Sequence, residues 1–337
     1  MKRSVLICGQ AGQGIRFTSI LLGRALVYAG YHVFIYRDYG SLIRGGHNFN
    51  VITFSDQQVY SHQNEFSAVV DLDDSSEQHK KGINKNTLIF KRSQAKVCLE
   101  KGNLKNTSIQ TNNILLGILF KSWGLPLDAL LKATKKEIPS PKATLSLMKA
   151  GYRCGQLIEQ LKALTPQKHY FLDGTAGFTQ GALASGVDTY LSYPMTPATG
   201  VLVELAARAK KYNLKVVQIE NEISAINAAL GASYAGAMAM VGTSGGGFAL
   251  MTEALGLAGI AEIPLVIYLS QRMGPATGVP TYTAQGDLAF ARFAGAGEFP
   301  RILIAPGNPA EAISRTMEAF YLAYRYRMPV ILLSDKH

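Results

Sequence analysis

Cysteine is scarce in this chain. Cys8, Cys98 and Cys154 stand far apart with no C-x-x-C pair, which excludes a disulfide framework, a structural zinc site of the usual spacing and an iron–sulfur cluster held by this chain alone. The six histidines are scattered and form no paired zinc motif. A G-x-x-x-x-G-K-S/T phosphate loop is also missing. Long apolar runs are absent as well: the stretch Val5 to Cys8, after Met1-Lys2-Arg3, is cut off at Gly9. That is too short for a signal-peptide core, and no run reaches the length of a membrane span. The expectation is a cytoplasmic protein with no membrane contact.

What the chain has is the balance of a folded α/β protein. Its 337 residues suggest about two domains, and 47% hydrophobic against 17% charged residues allows each a core. The net charge of +11 sits in the first half: residues 1–170 carry 23 Lys/Arg against 11 Asp/Glu, whereas 171–337 carry 11 against 12. Much of the excess lies between Lys80 and Lys105, where eight basic residues meet one carboxylate, Glu100. Such a run reads as a solvated surface, or as a docking face for a polyanion such as coenzyme A or for an acidic partner. Nucleic acid is not expected, because no recognised motif or aromatic interleaving accompanies the charge.

Two units, each built of strands and helices, emerge from the patterning. In the first, Ser4–Cys8 reads as a strand, Gly9 to Gly14 as a glycine turn and Ile15–Ala29 as a helix stopped by Gly30. His32–Tyr36, Phe49–Phe54, Ala68–Leu72 and Leu88–Phe90 read as further strands, with a polar loop over Arg37–Asn48 and a hairpin near Asp56-Gln57. Residues 113–164 read as helical, broken at Pro126, Pro139 and Pro141. Leu164 to Lys168 is the expected linker, dividing the chain into domains 1–165 and 169–337. In the second, strands are expected at Thr189–Tyr193, Lys215–Ile219, Met238–Gly242, Leu265–Leu269, Ile302–Ile304 and Val330–Leu333. Helices are expected near Ala198–Tyr212, Glu222–Tyr234, Gly247–Ala258 and Pro309–Tyr326. Apolar strands alternating with helices imply a mostly parallel sheet covered by helices on both faces. Ligands in such sheets sit beyond the carboxyl ends of the strands.

Four segments come directly after those strands. Tyr193-Pro194-Met195-Thr196-Pro197-Ala198-Thr199 is a rigid turn into a helix, where Thr196 or Thr199 reads as a helix cap. Glu222 reads either as a first-turn acid favoured by the helix dipole or as a carboxylate pressed into an alanine-rich crossing for proton chemistry. Gly242-Thr243-Ser244-Gly245-Gly246 matches G-x-S-x-G, but a hydrolase triad needs a later histidine, and only His337 stands beyond it. Backbone amides of that turn suit close approach to a ligand. Arg272 is either a clamp for a substrate carboxylate or one end of a surface salt bridge. The spacing Gly9-x-x-Gly12-x-Gly14 departs from the dinucleotide fingerprint, and no acid ends the second strand, so a nicotinamide cofactor is not expected.

Taken in order, Tyr193 to Pro197, Glu220 to Glu222, Gly231 to Ser233, Thr243 to Gly245, Gln271 to Thr281, Gln285 to Leu288 and Gly297 to Arg301 resemble the pyrimidine-binding domain of 2-oxoacid:ferredoxin oxidoreductase α subunits. Gly9 to Ile15, Tyr39-Gly40, Arg44-Gly45-Gly46, Asn113 and Leu116-Gly117 resemble the γ subunit of the same family. The resemblance implies a γ-type α/β domain followed by a thiamine-diphosphate pyrimidine-binding domain, as in the branch using 2-oxoglutarate or broader 2-oxoacids.

It implies that Glu222 is the catalytic carboxylate that hydrogen-bonds the aminopyrimidine of thiamine diphosphate and favours the imino tautomer. It implies that Thr196 and Arg272 bind the 2-oxoacid. Tyr193, Pro194, Thr243, Ser244 and Gly245 are the other expected cofactor contacts. Gly9, Gly12, Gly14, Arg44, Gly45 and Gly46 are expected on the coenzyme A side. Magnesium and a 4Fe–4S cluster are expected on a β subunit rather than here, which implies a hetero-oligomer passing electrons to ferredoxin. The sequence departs from the family pattern at Gly174-Thr175-Ala176, Met238, Gly246 and Ala296. It also ends at Asp335-Lys336-His337, where α subunits continue into another α/β domain; a separate chain supplying that domain, or a non-catalytic assembly subunit, is the alternative expectation.

Overall fold

The protein is described by a computed structural model, which covers residues 1–40, 45–101, 108–165 and 170–336. The chain divides into two compact units, Met1–Phe171 and Leu172–His337. Both are α/β, the first with a mixed sheet and the second with a parallel one. Among the described residues no helix is long and apolar enough to cross a membrane.

In the first unit β1 (Lys2–Gln10) leads through the glycine turn into α1 (Ile15–Tyr28). Gly12 and Gly14 adopt positive φ, 91° and 81°, so that the chain reverses within four residues. β2 (His32–Tyr39) and β3 (His47–Ser55) pair antiparallel, and β4 (Ala68–Asp71) and β5 (Leu88–Lys91) come after them. The strand order is β2-β3-β1-β4-β5, with β1 antiparallel to β3 and parallel to β4.

This order corrects the expected hairpin at Asp56-Gln57. β1 lies between β3 and β4, so the hairpin is instead β2–β3, whose strands run further into the expected polar loop. Alternate residues face two cores. Val5, Ile7, Ile52, Phe54 and Val70 pack on the helical side, while Leu6, Cys8, Val51 and Val69 pack on the other with Phe66.

The remaining helices are α2 (Arg92–Lys101), α3 (Ser108–Ser122), α4 (Leu127–Glu137) and α5 (Lys142–Cys154). The helical pattern expected to reach Leu164 stops at Cys154. Beyond it the chain is extended because the C-terminal carbonyls of α3 capture it: Ile158 and Glu159 donate to the Ser122 carbonyl at 2.9 and 3.0 Å, and Leu161 to that of Trp123 at 3.0 Å. The expected linker lies outside the described residues from Pro166 to Lys168.

The second unit opens with α6 (Gly174–Ala184), capped by the Asp173 side chain, followed by β6 (Thr189–Ser192) and α7 (Thr199–Tyr212). Then come β7 (Lys215–Gln218), α8 (Glu222–Tyr234), β8 (Ala239–Thr243), α9 (Gly245–Leu250) and α10 (Thr252–Ile260). The chain ends with β9 (Leu265–Ser270), α11 (Leu288–Phe293), β10 (Ile302–Ile304), α12 (Pro309–Tyr326) and β11 (Pro329–Ser334). All six strands are parallel, in the order β10-β11-β9-β8-β6-β7.

Both faces of this sheet are buried. On β9, Leu265, Ile267 and Leu269 meet α8 to α10, whereas Val266 and Tyr268 meet the side packed by α6, α7 and α12. Neither α6 nor α11 is expected from the patterning. α6 is hidden by its small residues, which serve close packing: a Cβ on Gly177 or Gly181 would lie 2.6 Å from a carbonyl oxygen of α12. From β6 the chain steps to β7 on one side and then to β8 on the other, so the order reverses between β6 and β8. That reversal opens a crevice at the carboxyl ends of these two strands.

Candidate active site

The crevice is walled by the segments that leave the carboxyl ends of β6, β7, β8 and β9. Its floor is tight: the Ser192 hydroxyl at the end of β6 donates to the Gly242 carbonyl on β8 at 2.8 Å. A Cβ on Gly242 would come within 1.9 Å of the Tyr190 hydroxyl oxygen, so glycine is obligatory there.

Glu222 is the first residue of α8, yet it does not cap the helix. The Asn221 side chain does so, accepting from Ile223 and Ser224 amides at 3.0 and 3.3 Å. The other end of α8 closes with Gly236 at positive φ, Gly236 donating to Ser233 and Ala237 to Ala232. With its helix fixed at both ends, Glu222 points inward and is 3% exposed. Its Oε1 is buried with no hydrogen-bond partner among the described residues. The opposing wall is Gly247, where a Cβ would meet Thr243 Oγ1 at 2.2 Å and Glu222 Oε1 at 2.7 Å. Glu222, Thr243 and the glycine turn are therefore in mutual contact.

Arg272 stands just past β9 and is 8% exposed, which removes the surface salt bridge as its role. Its Nη1 donates to the Thr196 carbonyl at 3.0 Å and its Nη2 to Thr277 Oγ1 at 2.9 Å. It makes no ion pair with any described carboxylate. Burial pushes its pKa down, and the charges of Glu222 and Asp287 act in the opposite direction from beyond contact. A buried cation held only by neutral acceptors is complete once an anion joins it.

Asp287 belongs to the Gln285 to Leu288 motif, whose spacing assigns it no role. Its amide donates to Gln271 Oε1 at 2.9 Å, and a Cβ on Gly245 would lie 2.6 Å from its Oδ2. That oxygen is buried without a hydrogen-bond partner among the described residues. Burial pushes the Asp287 pKa up, partly offset by the charge of Arg272. Gln271, itself 4% exposed, and Thr277 are likewise parts of a motif to which spacing gives no individual task. The signal that could have found them is their place beside Arg272 at the end of an apolar strand.

The other expected residues divide clearly. Thr196 reaches Arg272 through its backbone, and neither it nor Thr199 caps α7, whose first turn has no side-chain cap. Tyr193 and Pro194 are half-buried in the turn after β6. Ser244 is fully buried, its hydroxyl has no hydrogen-bond partner among the described residues, and the described part of this unit contains no histidine, so no hydrolase triad forms among them.

In the first unit the glycine turn and the Gly45-Gly46 segment do meet: the Ala11 amide donates to the Gly46 carbonyl at 2.9 Å. Asn112 Nδ2 braces the turn by donating to the Gln13 carbonyl at 2.8 Å. Arg44 lies outside the described residues. No group of three or more metal-ligating side chains occurs among the described residues.

Comparison with known proteins finds two family matches in order along the chain. Residues 180–337 match the family model "Pyruvate flavodoxin/ferredoxin oxidoreductase, thiamine diP-bdg", and residues 4–154 match "Pyruvate ferredoxin/flavodoxin oxidoreductase". The 2-oxoacid:ferredoxin oxidoreductase subunit alpha of Sulfolobus sp. is 32% identical, the match covering all of this chain and 65% of that protein. The 2-oxoglutarate synthase subunit KorA of Archaeoglobus fulgidus is 41% identical over 165 residues, 49% of this chain and 48% of that one. Among solved structures, 2-oxoglutarate:ferredoxin oxidoreductase from Magnetococcus marinus, with 2-oxoglutarate, coenzyme A and succinyl-CoA bound, matches with a TM-score of 0.88 at 26% identity. That match covers 99% of this chain and 64% of the other. The chain thus spans just under two thirds of the full-length relatives it matches end to end. Two family models in sequence, and relatives aligned over its whole length, place the chain in the 2-oxoacid:ferredoxin oxidoreductase family, as a protein of the alpha-subunit type.

Proposed function

We propose that this chain is a subunit of a 2-oxoacid:ferredoxin oxidoreductase and supplies the aminopyrimidine and substrate side of its thiamine diphosphate site. The overall reaction converts a 2-oxoacid anion and coenzyme A into an acyl-CoA, carbon dioxide, one proton and two electrons, the electrons leaving singly to ferredoxin. The observation that carries the reading is a pair of incomplete partners at one sheet edge: a carboxylate oxygen of Glu222 without a donor among the described residues, and an Arg272 cation in contact with neutral acceptors and no described carboxylate. Residues 1–165 serve in it as the γ-type domain, and 169–337 as the pyrimidine-binding domain.

The residues present fit the cofactor's polar ring. Glu222 Oε1 is an acceptor facing a glycine wall, which suits a flat ring carrying an N–H. Thiamine diphosphate, when bound, supplies the nucleophilic carbon that attacks a 2-oxo group and the conjugated ring that takes up the electron pair left by decarboxylation. Glu222 holds and returns a proton at its Oε1. Arg272 anchors the substrate carboxylate, with the Thr196 turn fixing the guanidinium. Tyr193, Pro194, Thr243, Ser244 and Gly245 form the cofactor-facing wall, and Gly9, Gly12, Gly14 and Arg44 to Gly46 the coenzyme A side. Magnesium and the 4Fe–4S cluster belong to a β subunit, and the assembly is hetero-oligomeric and cytoplasmic.

The test is co-expression with a cognate β subunit, then coenzyme A-dependent reduction of ferredoxin or methyl viologen. Pyruvate, 2-oxoglutarate and branched-chain 2-oxoacids are assayed in parallel, since a methylene in an apolar pocket discriminates only modestly. Turnover of at least one, lost without coenzyme A, is expected. An assembled complex with no turnover on any of them would overturn the proposal.

A further inference from the structure

Arg272 is not the only residue that fixes where a substrate carboxylate is held. A guanidinium has five N–H donors in a planar fork. Two of these are used, by the Thr196 carbonyl on one side and Thr277 Oγ1 on the other. These two acceptors pin both terminal nitrogens, and three N–H groups are left. Gly246 lies beside the fork: a Cβ there would be in ordinary contact, 3.7 Å from Nη2 and 4.0 Å from Thr277 Oγ1.

Thr277 sits in the loop between β9 and α11, and its side of the loop is exposed. The loop is nevertheless tied at several points. Met273 donates to the Tyr282 carbonyl at 3.3 Å, and Tyr282 to that of Val279 at 3.1 Å. Lys336 Nζ donates to the Thr281 carbonyl at 2.9 Å, and Gln285 Nε2 to Asp335 Oδ2 at 2.7 Å. Asp287 is fixed to Gln271 at the far end. A hydroxyl carried on a strapped loop costs little further ordering when it accepts from a cation, and hydrogen bonds to charged groups are the stronger kind.

We propose that Thr277 is a positioning residue that orients the Arg272 fork for the carboxylate of the 2-oxoacid. Its hydroxyl holds Nη2 so that the remaining donors face the crevice, and the loop straps from Thr281 and Gln285 hold the hydroxyl. Without it the guanidinium keeps only the Thr196 contact and pivots about Nη1. Substrate binding then weakens, while the proton chemistry at Glu222 is untouched. The inference rests on the reading of Arg272 as the carboxylate anchor.

Two measurements test it, each on Thr277→Val, which keeps the shape and removes the hydroxyl, and Thr277→Ser, which keeps the hydroxyl. In the co-expressed complex, Thr277→Val is expected to raise the KM for the 2-oxoacid about five- to tenfold with kcat within twofold, and Thr277→Ser to restore it. An unchanged KM in Thr277→Val, or a KM equally raised in Thr277→Ser, overturns the inference while leaving the enzyme assignment intact. In the chain alone, the Arg272 Nε–H signal is identified by its loss in Arg272→Lys and tracked by NMR on titration with pyruvate. A shift in the wild type that is lost in Thr277→Val and kept in Thr277→Ser supports the inference even if no complex turns over. A wild-type signal that does not move, with no turnover, overturns both readings.

Discussion

Glu222→Gln should make the chain more stable and the enzyme inactive. The carboxylate is 3% exposed, and its Oε1 lacks a hydrogen bond. Leaving a buried polar group unsatisfied costs roughly 1–3 kcal/mol, and more when it carries charge. Glutamine keeps the shape against Gly247 and removes the charge, so a gain of about 1 kcal/mol is a modest expectation. For a unit of this size that corresponds to a rise in Tm of roughly 2–4 °C. The gain should be confined to unit Leu172–His337. The single tryptophan, Trp123, lies in the other unit and provides the control. Scanning calorimetry of the chain should show one transition moved upward, while the transition seen by tryptophan fluorescence stays in place. In the reconstituted complex, loss of the proton-handling group should lower kcat by roughly 10²–10⁴. A Tm that falls, together with activity that survives, would mean that Glu222 is an ordinary structural first-turn acid and would refute the reasoning.

Gly247→Ala places a methyl 2.2 Å from Thr243 Oγ1 and 2.7 Å from Glu222 Oε1, so overpacking should cost about 1–3 kcal/mol in urea unfolding; an unchanged midpoint would show that the wall has slack. Asn221→Ala removes the cap of α8 and should cost about 1 kcal/mol, with kcat falling because Glu222 is the next residue. A stability loss with full activity would separate the cap from the site. Asp287→Asn tests the raised pKa. Because the folded carboxyl holds its proton more tightly than the unfolded one, stability falls as pH rises from the ordinary carboxylate value through the folded value. Asparagine escapes that loss, so the variant should melt higher at pH 7 and the difference should close toward about pH 3. A difference independent of pH would remove the titration of Asp287 as its cause.

The second unit is legible in the sequence to the extent that its burial is two-sided. Continuous apolar strands such as Leu265–Ser270 are read from composition alone, and α8 and α12 carry their own caps at Asn221 and Asn308. α6 is not legible, because Gly177 and Gly181 are chosen for contact with α12 and leave no periodic stripe. In the first unit the strands are legible, but their order is not. Placing β1 between β3 and β4 is a long-range decision, and the short-range pattern at Asp56-Gln57 points to the wrong neighbour. At the site, spacing leaves Arg272 equally a clamp and a surface ion pair. Only burial and the identity of its acceptors separate the two, and neither is a property of spacing.

The same set of contacts explains why Glu222 and Arg272 do not neutralise each other. Opposite charges sharing one desolvated crevice attract strongly, and an ion pair would relieve both. Each is prevented by the groups that hold it. Arg272 is pinned on two sides by Thr196 and Thr277, and Glu222 is pinned by the capped start of α8 against Gly247. Separation therefore costs stability that the fold could have gained, the pattern expected where a site is kept ready for a ligand. It also defines the ligand that completes it: one that brings an N–H to the carboxylate and a carboxylate to the guanidinium. In the proposed function the N–H comes from the cofactor ring and the carboxylate from the 2-oxoacid bound beside it.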